Sequence, residues 1–293
     1  MPWLEFSIRC QAAQQPEVEA ALEELGALSV TLLDAADDPI LEPGVGETPL
    51  WPNLIVQGLF DGALDRLGLE RVLTGKLERL PPDAFSWRHV ENQDWERAWM
   101  DRFEPMRFGQ RLWIYPSHIE PPADAGVVVR LDPGLAFGTG THPTTALCLQ
   151  WLDQLDLSGR TVLDFGCGSG VLAIAAARLG AVRVVAVDND PQALTATREN
   201  ARVNGVAARI GVYPSGQVPA GPFDFVVANI LANALHALAG RLAQATAPGG
   251  AIALSGILAG QQPGLLERYA TWFEDFDVAA AQDWVRIVAR RRG

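Results

Sequence analysis

Four short segments hold the residue types that can do chemistry. The first is Val162-Leu163-Asp164-Phe165-Gly166-Cys167-Gly168-Ser169-Gly170, which runs from an apolar strand pattern through a glycine turn into a helix. Glycines at such a turn let the backbone approach a ligand closely, and the helix start offers N–H groups to an anion. A dinucleotide site repeats GxGxxG around a pyrophosphate. Here the spacing is GxGxG, and Val171 stands where the third dinucleotide glycine would be. Asp164, just before the turn, would repel a pyrophosphate and favour an ammonium. S-adenosylmethionine carries an ammonium and a carboxylate on its methionine part and no phosphate. Asp164, Gly166 and Gly168 are therefore candidate residues for holding it, although a tight strand-to-helix turn without a ligand would use the same glycines.

The second segment, Val184-Val185-Ala186-Val187-Asp188-Asn189-Asp190, ends a second strand pattern on Asp188, 22 residues after Gly166. A carboxylate there can accept hydrogen bonds from both hydroxyls of a ribose, in NAD and S-adenosylmethionine alike. Asp190, before Pro191, suits a helix N-cap better. The third segment is Phe223-Asp224-Phe225-Val226-Val227-Ala228-Asn229-Ile230-Leu231-Ala232. Asn229 falls where a strand runs out, at the mouth of the crevice of an open α/β sheet. Its amide oxygen could accept a hydrogen bond from an amine and aim the lone pair at a methyl group; the bland alternative is a cap for the next helix. The fourth, Leu135-Ala136-Phe137-Gly138-Thr139-Gly140-Thr141-His142-Pro143-Thr144-Thr145, puts glycines and threonines before a helix. It is expected to act as a mobile lid over Phe137–Thr141. His142 reads as a cap or positioning group before a general base.

Elements must hold these segments in place. Leu4, Phe6, Ile8 and Cys10 alternate with polar residues, as in a half-buried strand. Val18, Leu22 and Leu25 have helical spacing, ended by Gly26. Strands are expected over Leu28–Leu33, Asn53–Phe60 and Phe85–Val90, with a helix over Leu64–Leu73 and an acidic Pro/Gly-rich loop over Asp34–Pro52. That order, β-α-β-β-α-β, predicts an α+β ferredoxin-like domain over residues 1–92. Residues 93–126 read as a linker with a helix over Gln93–Phe103, where Trp95 and Trp99 lie one turn apart. From 127 to 293, apolar strands alternate with helices, which predicts a doubly wound α/β sheet closed by a hairpin of Phe276–Ala280 with Trp284–Ala289.

A length of 293 residues fits about two domains. With 48% hydrophobic and 20% charged residues, the chain is neither disordered nor a disulfide miniprotein. Its net charge of −12 disfavours general nucleic-acid binding and suits a basic partner. Three cysteines without a CxxC pair and four scattered histidines point to neither disulfides nor a metal. The start is unlike a signal peptide and no apolar run reaches the ~20 residues of a membrane span. The cytoplasm is the expected location.

Together, FGTGTHPTT, LDFGCGSGVLAIAAARLGA, VVAVDNDPQALTATRENARVNGV and FDFVVANILA closely resemble the bacterial ribosomal protein L-eleven methyltransferases, along the whole chain. The resemblance implies a class I S-adenosylmethionine-dependent methyltransferase domain with a Rossmann-like sheet, behind an N-terminal substrate-recognition domain. It implies methylation of lysine ε-amino and N-terminal α-amino groups on one basic large-subunit ribosomal protein, with the ribosome a second candidate partner. Cofactor contacts carry over onto Thr145, Gly166, Asp188 and Asn229, with Asn229 the catalytic candidate. Phe137 would shield the amine from water. At pH 7 a free lysine's neutral form lies roughly 4.6 kcal/mol uphill, from a pKa of about 10.4. A desolvated crevice and a neighbouring sulfonium both lower that cost, so no strong enzyme base is expected. The competing classes are an NAD-dependent oxidoreductase and a non-catalytic ribosome-assembly factor that retains the pocket.

Overall fold

Alternation builds the first sheet. In β1 (Trp3–Gln11), Leu4, Phe6, Ile8 and Cys10 are buried while their neighbours are not. The computed structural model describes residues 3–36, 50–91, 104–132, 142–219 and 221–293, and the chain divides into two units, Met1–Trp95 and Glu96–Gly293. The first unit continues through α1 (Gln15–Glu24), β2 (Ser29–Asp34), β3 (Asn53–Asp61), α2 (Arg66–Lys76) and β4 (Phe85–Val90). Its sheet order is β2-β3-β1-β4, with every neighbouring pair antiparallel. Val18 and Leu22 of α1 and Leu73 of α2 close the core over one sheet face, with Phe6 and Phe60 edge to face beneath them. This is the ferredoxin-like arrangement. The second helix starts at Arg66 because Asp65 caps it, accepting from Leu67 N at 3.1 Å.

In the second unit, β5 (Met106–Phe108), β6 (Leu112–Tyr115) and β7 (Val127–Arg130) form a small sheet. Phe108, Leu112 and Ile114 are buried in the same core as Leu149 and Leu152 of α3 (Pro143–Gln154). Buried Asp153 accepts from the amides of Gln110 (2.7 Å), Arg111 (3.1 Å) and Leu112 (3.0 Å), which ties the β5–β6 turn to that helix. Residues 104–126 are thus part of the second unit rather than the linker expected from sequence. Strands of three and four residues are too short to raise a period-2 signal. The expected helix at 93–103, with Trp95 and Trp99, and the core of the Asp34–Pro52 loop lie outside the described residues.

The main sheet takes β8 (Thr161–Phe165), β9 (Arg183–Asp188), β10 (Ile210–Pro214), β11 (Phe223–Asn229), β12 (Thr246–Leu258), β13 (Phe273–Ala281) and β14 (Trp284–Arg291). Their order is β10-β9-β8-β11-β12-β14-β13, parallel from β10 to β12 and antiparallel at β14 and β13. Helices α4 (Val171–Arg178), α5 (Pro191–Val203), α6 (Ala232–Ala245) and α7 (Gln262–Tyr269) connect them. Alternate residues of one strand serve opposite cores: Val162, Val184 and Val227 face one, Leu163, Val185 and Val226 the other. That two-sided burial explains the near-continuous apolar runs. A doubly wound sheet closed by an antiparallel hairpin is the class I S-adenosylmethionine-dependent methyltransferase architecture. β10 was absent from the sequence pattern, because Gly211 and Pro214 interrupt its five residues.

Candidate functional site

The carboxyl ends of β8, β9 and β11 open onto a cleft of about 320 Å³, at the topological switch point where the strand order reverses. Of the residues singled out in the sequence, Thr145, Gly166, Gly168, Asp188 and Asn229 all line it. Phe137 lies outside the described residues, as does the whole expected lid, 137–141.

Asp164 is brought near but not to the cleft wall. It shares a face of β8 with Val162, toward the α4 layer, and is 0% exposed. Its Oδ2 accepts from Ala173 N in the first turn of α4 at 3.0 Å, while Oδ1 is buried without a hydrogen-bond partner. Burial pushes the carboxyl up to about 7; the Ala173 N–H pulls it down and the nearby Asp188 raises it. In this structure Asp164 braces the helix start from behind the turn, and the cleft wall is formed without it.

The glycine turn is built for close approach. Gly166, Gly168 and Gly170 have φ of 83°, 53° and 80°, the left-handed region where a Cβ is strained. A Cβ on Gly166 would run into Ile230 Cγ2 across the cleft. Its amides are already engaged within the protein. Gly166 N and Cys167 N donate to Val187 O at 2.7 and 3.0 Å, and Gly170 N to Cys167 O at 2.7 Å. Gly168 N donates to Asp188 Oδ2 at 2.9 Å, and Val171 N to Ser169 Oγ at 3.3 Å. A turn with its amides used this way, beside a carboxylate, is a poor pyrophosphate cradle.

Asp188 is half-buried and accepts one backbone N–H on each oxygen, from Gly168 and from Asp190 N at 3.0 Å. Both oxygens keep a lone pair, and the two N–H bonds hold the carboxylate rigid. Asp190 is the N-cap of α5, accepting from Gln192 N at 2.8 Å. Asn229 donates from Nδ2 to Oγ1 of buried Thr145 at 3.2 Å. In that arrangement the amide nitrogen faces Thr145 and the oxygen is the end left for a ligand. Asn229 is not the cap of α6, whose N-cap is Leu231.

Of the other lining residues, Asn189, Ile230 and Leu231 fall within the segments singled out in the sequence without being marked by their type, while Ser215 and Leu238 lie outside them. Ser215 follows the unmarked β10 and donates from Oγ to Asn189 Oδ1. The alternation of Ile210 and Val212 was the available clue. Nucleophilic thiols are absent here: burial pushes Cys148 and Cys167 up to about 12. His142 does not line the cleft; it caps α3, with Nδ1 2.7 Å from Thr144 Oγ1, and burial lowers its pKa.

Residues 2–292 match the family model for ribosomal protein L11 methyltransferase (PrmA). The chain is 56% identical over 306 aligned positions to a ribosomal protein L11 methyltransferase of Stenotrophomonas maltophilia (strain K279a), and 54% identical over 310 to one of Xanthomonas axonopodis pv. citri (strain 306), each covering both chains in full. A crystal structure of a ribosomal protein L11 methylase from Lactobacillus delbrueckii subsp. bulgaricus is 34% identical, covers 65% of this chain and all of its own, and has a TM-score of 0.58.

Proposed function

The chain belongs to the ribosomal protein L11 methyltransferase family and is an S-adenosylmethionine-dependent methyltransferase; on that footing we propose that its acceptors are lysine ε-amino and N-terminal α-amino groups of ribosomal protein L11. The observation that carries the cofactor part is the glycine turn. Its amides are engaged internally and Asp188 stands beside it, which fits a ligand with a ribose and a cationic methionine part and disfavours a dinucleotide. Asp188 would hold the ribose hydroxyls, Gly166 and Gly168 would admit the methionine part, and apolar Ile230, Leu231 and Leu238 would flank the nucleobase.

When bound, S-adenosylmethionine supplies a methyl group on a sulfonium, which leaves with the carbon–sulfur bonding pair on sulfur. The residues of this chain position the acceptor. Asn229, its nitrogen engaged by Thr145, presents the amide oxygen to the N–H of a neutral amine and so directs the amine's lone pair. The amine reaches that state by losing its proton to water, favoured by the apolar wall around it. Among the described residues no histidine lines the cleft, and its cysteine, Cys167, is pushed up to about 12 by burial and so stays a protonated thiol. An intact Asn229–Thr145 pair favours catalysis over a non-catalytic assembly role. A ribosomal acceptor makes the cytoplasm the site of reaction. No helix among the described residues is long and apolar enough to cross a membrane.

The first unit is proposed as the module that recognises L11, free or on the ribosome. Residues 1–91 hold 6 Lys/Arg against 16 Asp/Glu, a balance of −10 out of the chain's −12. A strongly negative module suits a basic ribosomal protein and speeds its encounter. A chain lacking residues 1–91 should still bind S-adenosylmethionine, since its cleft and cores lie wholly within the second unit, yet fail to methylate L11. Methylation of L11 by the truncated chain at the full-length rate would remove the recognition role.

The direct test is mass spectrometry of L11 after incubation with the purified chain and S-adenosylmethionine. Mass gains of whole methyl groups on lysine and the N-terminus are expected. Methyl transfer confined to other side chains would overturn the amine assignment. Asp188→Ala should weaken S-adenosylmethionine binding by about 1.5–3 kcal/mol, the scale of hydrogen bonds to a charged group. Calorimetry giving wild-type affinity for a folded variant would take the ribose role from Asp188.

A further inference from the structure

Gly256, outside every motif above, is built into the wall behind Asn229. β12 and β14 pair Leu254 with Ile287 and Ile257 with Val285, so Ser255 and Gly256 together oppose Arg286. Two residues against one make a β-bulge, and Gly256 adopts the φ of 82° that such a bulge asks of a glycine. The bulge lies directly against the residue after Asn229. A Cβ on Gly256 would sit 2.8 Å from the carbonyl carbon of Ile230 and 3.1 Å from its nitrogen, with the carbonyl oxygen nearer still. Ile230 N donates to Ser255 O at 3.1 Å, and Asn229 stands opposite Ser255 in the parallel register. From the other side, Gly166 meets Ile230 Cγ2. Ile230 is thus held between two positive-φ glycines, its side chain against Gly166 in the turn after β8 and its backbone against Gly256 on β12. Arg286, opposite the bulge and 6% exposed, donates from Nη1 to Leu147 O at 3.0 Å in α3, the helix that carries Thr145. Both members of the Asn229–Thr145 pair are referenced to the same bulge.

We infer that Gly256 is a positioning residue for methyl transfer: it lets the β12 bulge lie against Ile230 and so fixes where the Asn229 amide stands. The inference rests on the role proposed above for Asn229. A side chain at Gly256 has backbone to displace, not the end of a flexible side chain, so Ile230 must move and carry Asn229 with it. Gly249 provides the control. It lies on the same strand with φ of 74°, and a Cβ there meets nothing within 4 Å. Gly249→Ala therefore incurs the same kind of backbone strain without the collision.

The test compares full-length Gly256→Ala, Gly249→Ala, Asn229→Ala and the Asn229→Ala/Gly256→Ala double variant. Two measurements are made: single-turnover methylation of L11 at saturating S-adenosylmethionine, and hydrogen exchange of the Ile230 amide in the cofactor-free protein. Gly256→Ala should slow transfer roughly 100-fold, the scale for a reacting group misplaced by about 1 Å, and should quicken Ile230 exchange. Gly249→Ala should do neither. Adding Gly256→Ala to Asn229→Ala should cost no further rate. A wild-type rate in Gly256→Ala, equal losses in both glycine variants, or independent losses in the double variant would each overturn the inference. If Asn229→Ala itself turns over normally, the role of Asn229 fails. In that case faster Ile230 exchange in Gly256→Ala alone still supports the grip on the loop, and unchanged exchange overturns it. Should Gly256→Ala not fold, Ser255→Ala replaces it. That change removes the 3.1 Å bond from Ser255 Oγ to Val285 O that anchors the bulge and adds no atom. It should quicken Ile230 exchange and slow transfer, and no change in either would overturn the inference.

Discussion

Replacing Asn229 with alanine should slow methyl transfer by roughly 30- to 1,000-fold, the rate equivalent of losing about 2–4 kcal/mol of transition-state stabilisation from one oriented polar group. S-adenosylmethionine affinity should fall much less, because Asp188 and the glycine turn remain. The reason is geometric. Asn229 Nδ2 donates to Thr145 Oγ1 at 3.2 Å, and in that arrangement the amide oxygen is the end that faces a ligand. The site holds an acceptor where an amine needs one. Thr145→Val should show a weaker form of the same loss, since the amide stays but is free to turn. With no strong base lining the cleft, the wild-type single-turnover rate should also climb from pH 6 toward pH 9, until the bound amine is neutral. Near-normal turnover of Asn229→Ala would reduce Asn229 to a loop residue. A flat profile across that range would show that amine deprotonation does not limit the step.

The second large effect is on stability, through Asp164. Burial pushes its carboxyl up to about 7 from the ordinary carboxylate value of 3.8. Between those two values the folded protein keeps a proton that the unfolded chain has released, so unfolding is favoured as pH rises through the window. The cost of the buried group is nearly absent around pH 4 and complete above 7. Asp164→Asn keeps the shape and an acceptor for Ala173 N, and it does not titrate. Relative to wild type, the variant should therefore gain about 4 kcal/mol in unfolding free energy between pH 4 and pH 8. Comparing the two proteins at each pH cancels the titration of every other group. Denaturant unfolding of the cofactor-free proteins at several pH values is the measurement. Parallel stability curves would show that Asp164 is ionised in the folded protein at ordinary cost.

Much of the site was legible because its requirements are local. A turn that needs positive φ at Gly166, Gly168 and Gly170 writes itself as glycines at fixed spacing. A carboxylate at the end of β9 and an amide at the end of β11 stand out because apolar strands stop there. The N-terminal unit was legible for a similar reason: one-sided burial forces alternation along β1 and β3, and Asp65 and Gly26 punctuate the helices. Other features depend on what faces what across the sheet, which no local pattern records. Asp164 looked like a cleft residue because it precedes the turn, but which face of β8 looks into the cleft is decided by neighbouring strands and helices. Short β6 and broken β10 are strands because Leu149, Leu152 and β9 lie beside them, not because their own residues demand it. Gly256 reads as an unremarkable glycine in an apolar run. Its role exists only because β12, β14 and the Asn229 loop meet at that point, where a distance under 3.0 Å to the Ile230 backbone leaves no room for one more carbon.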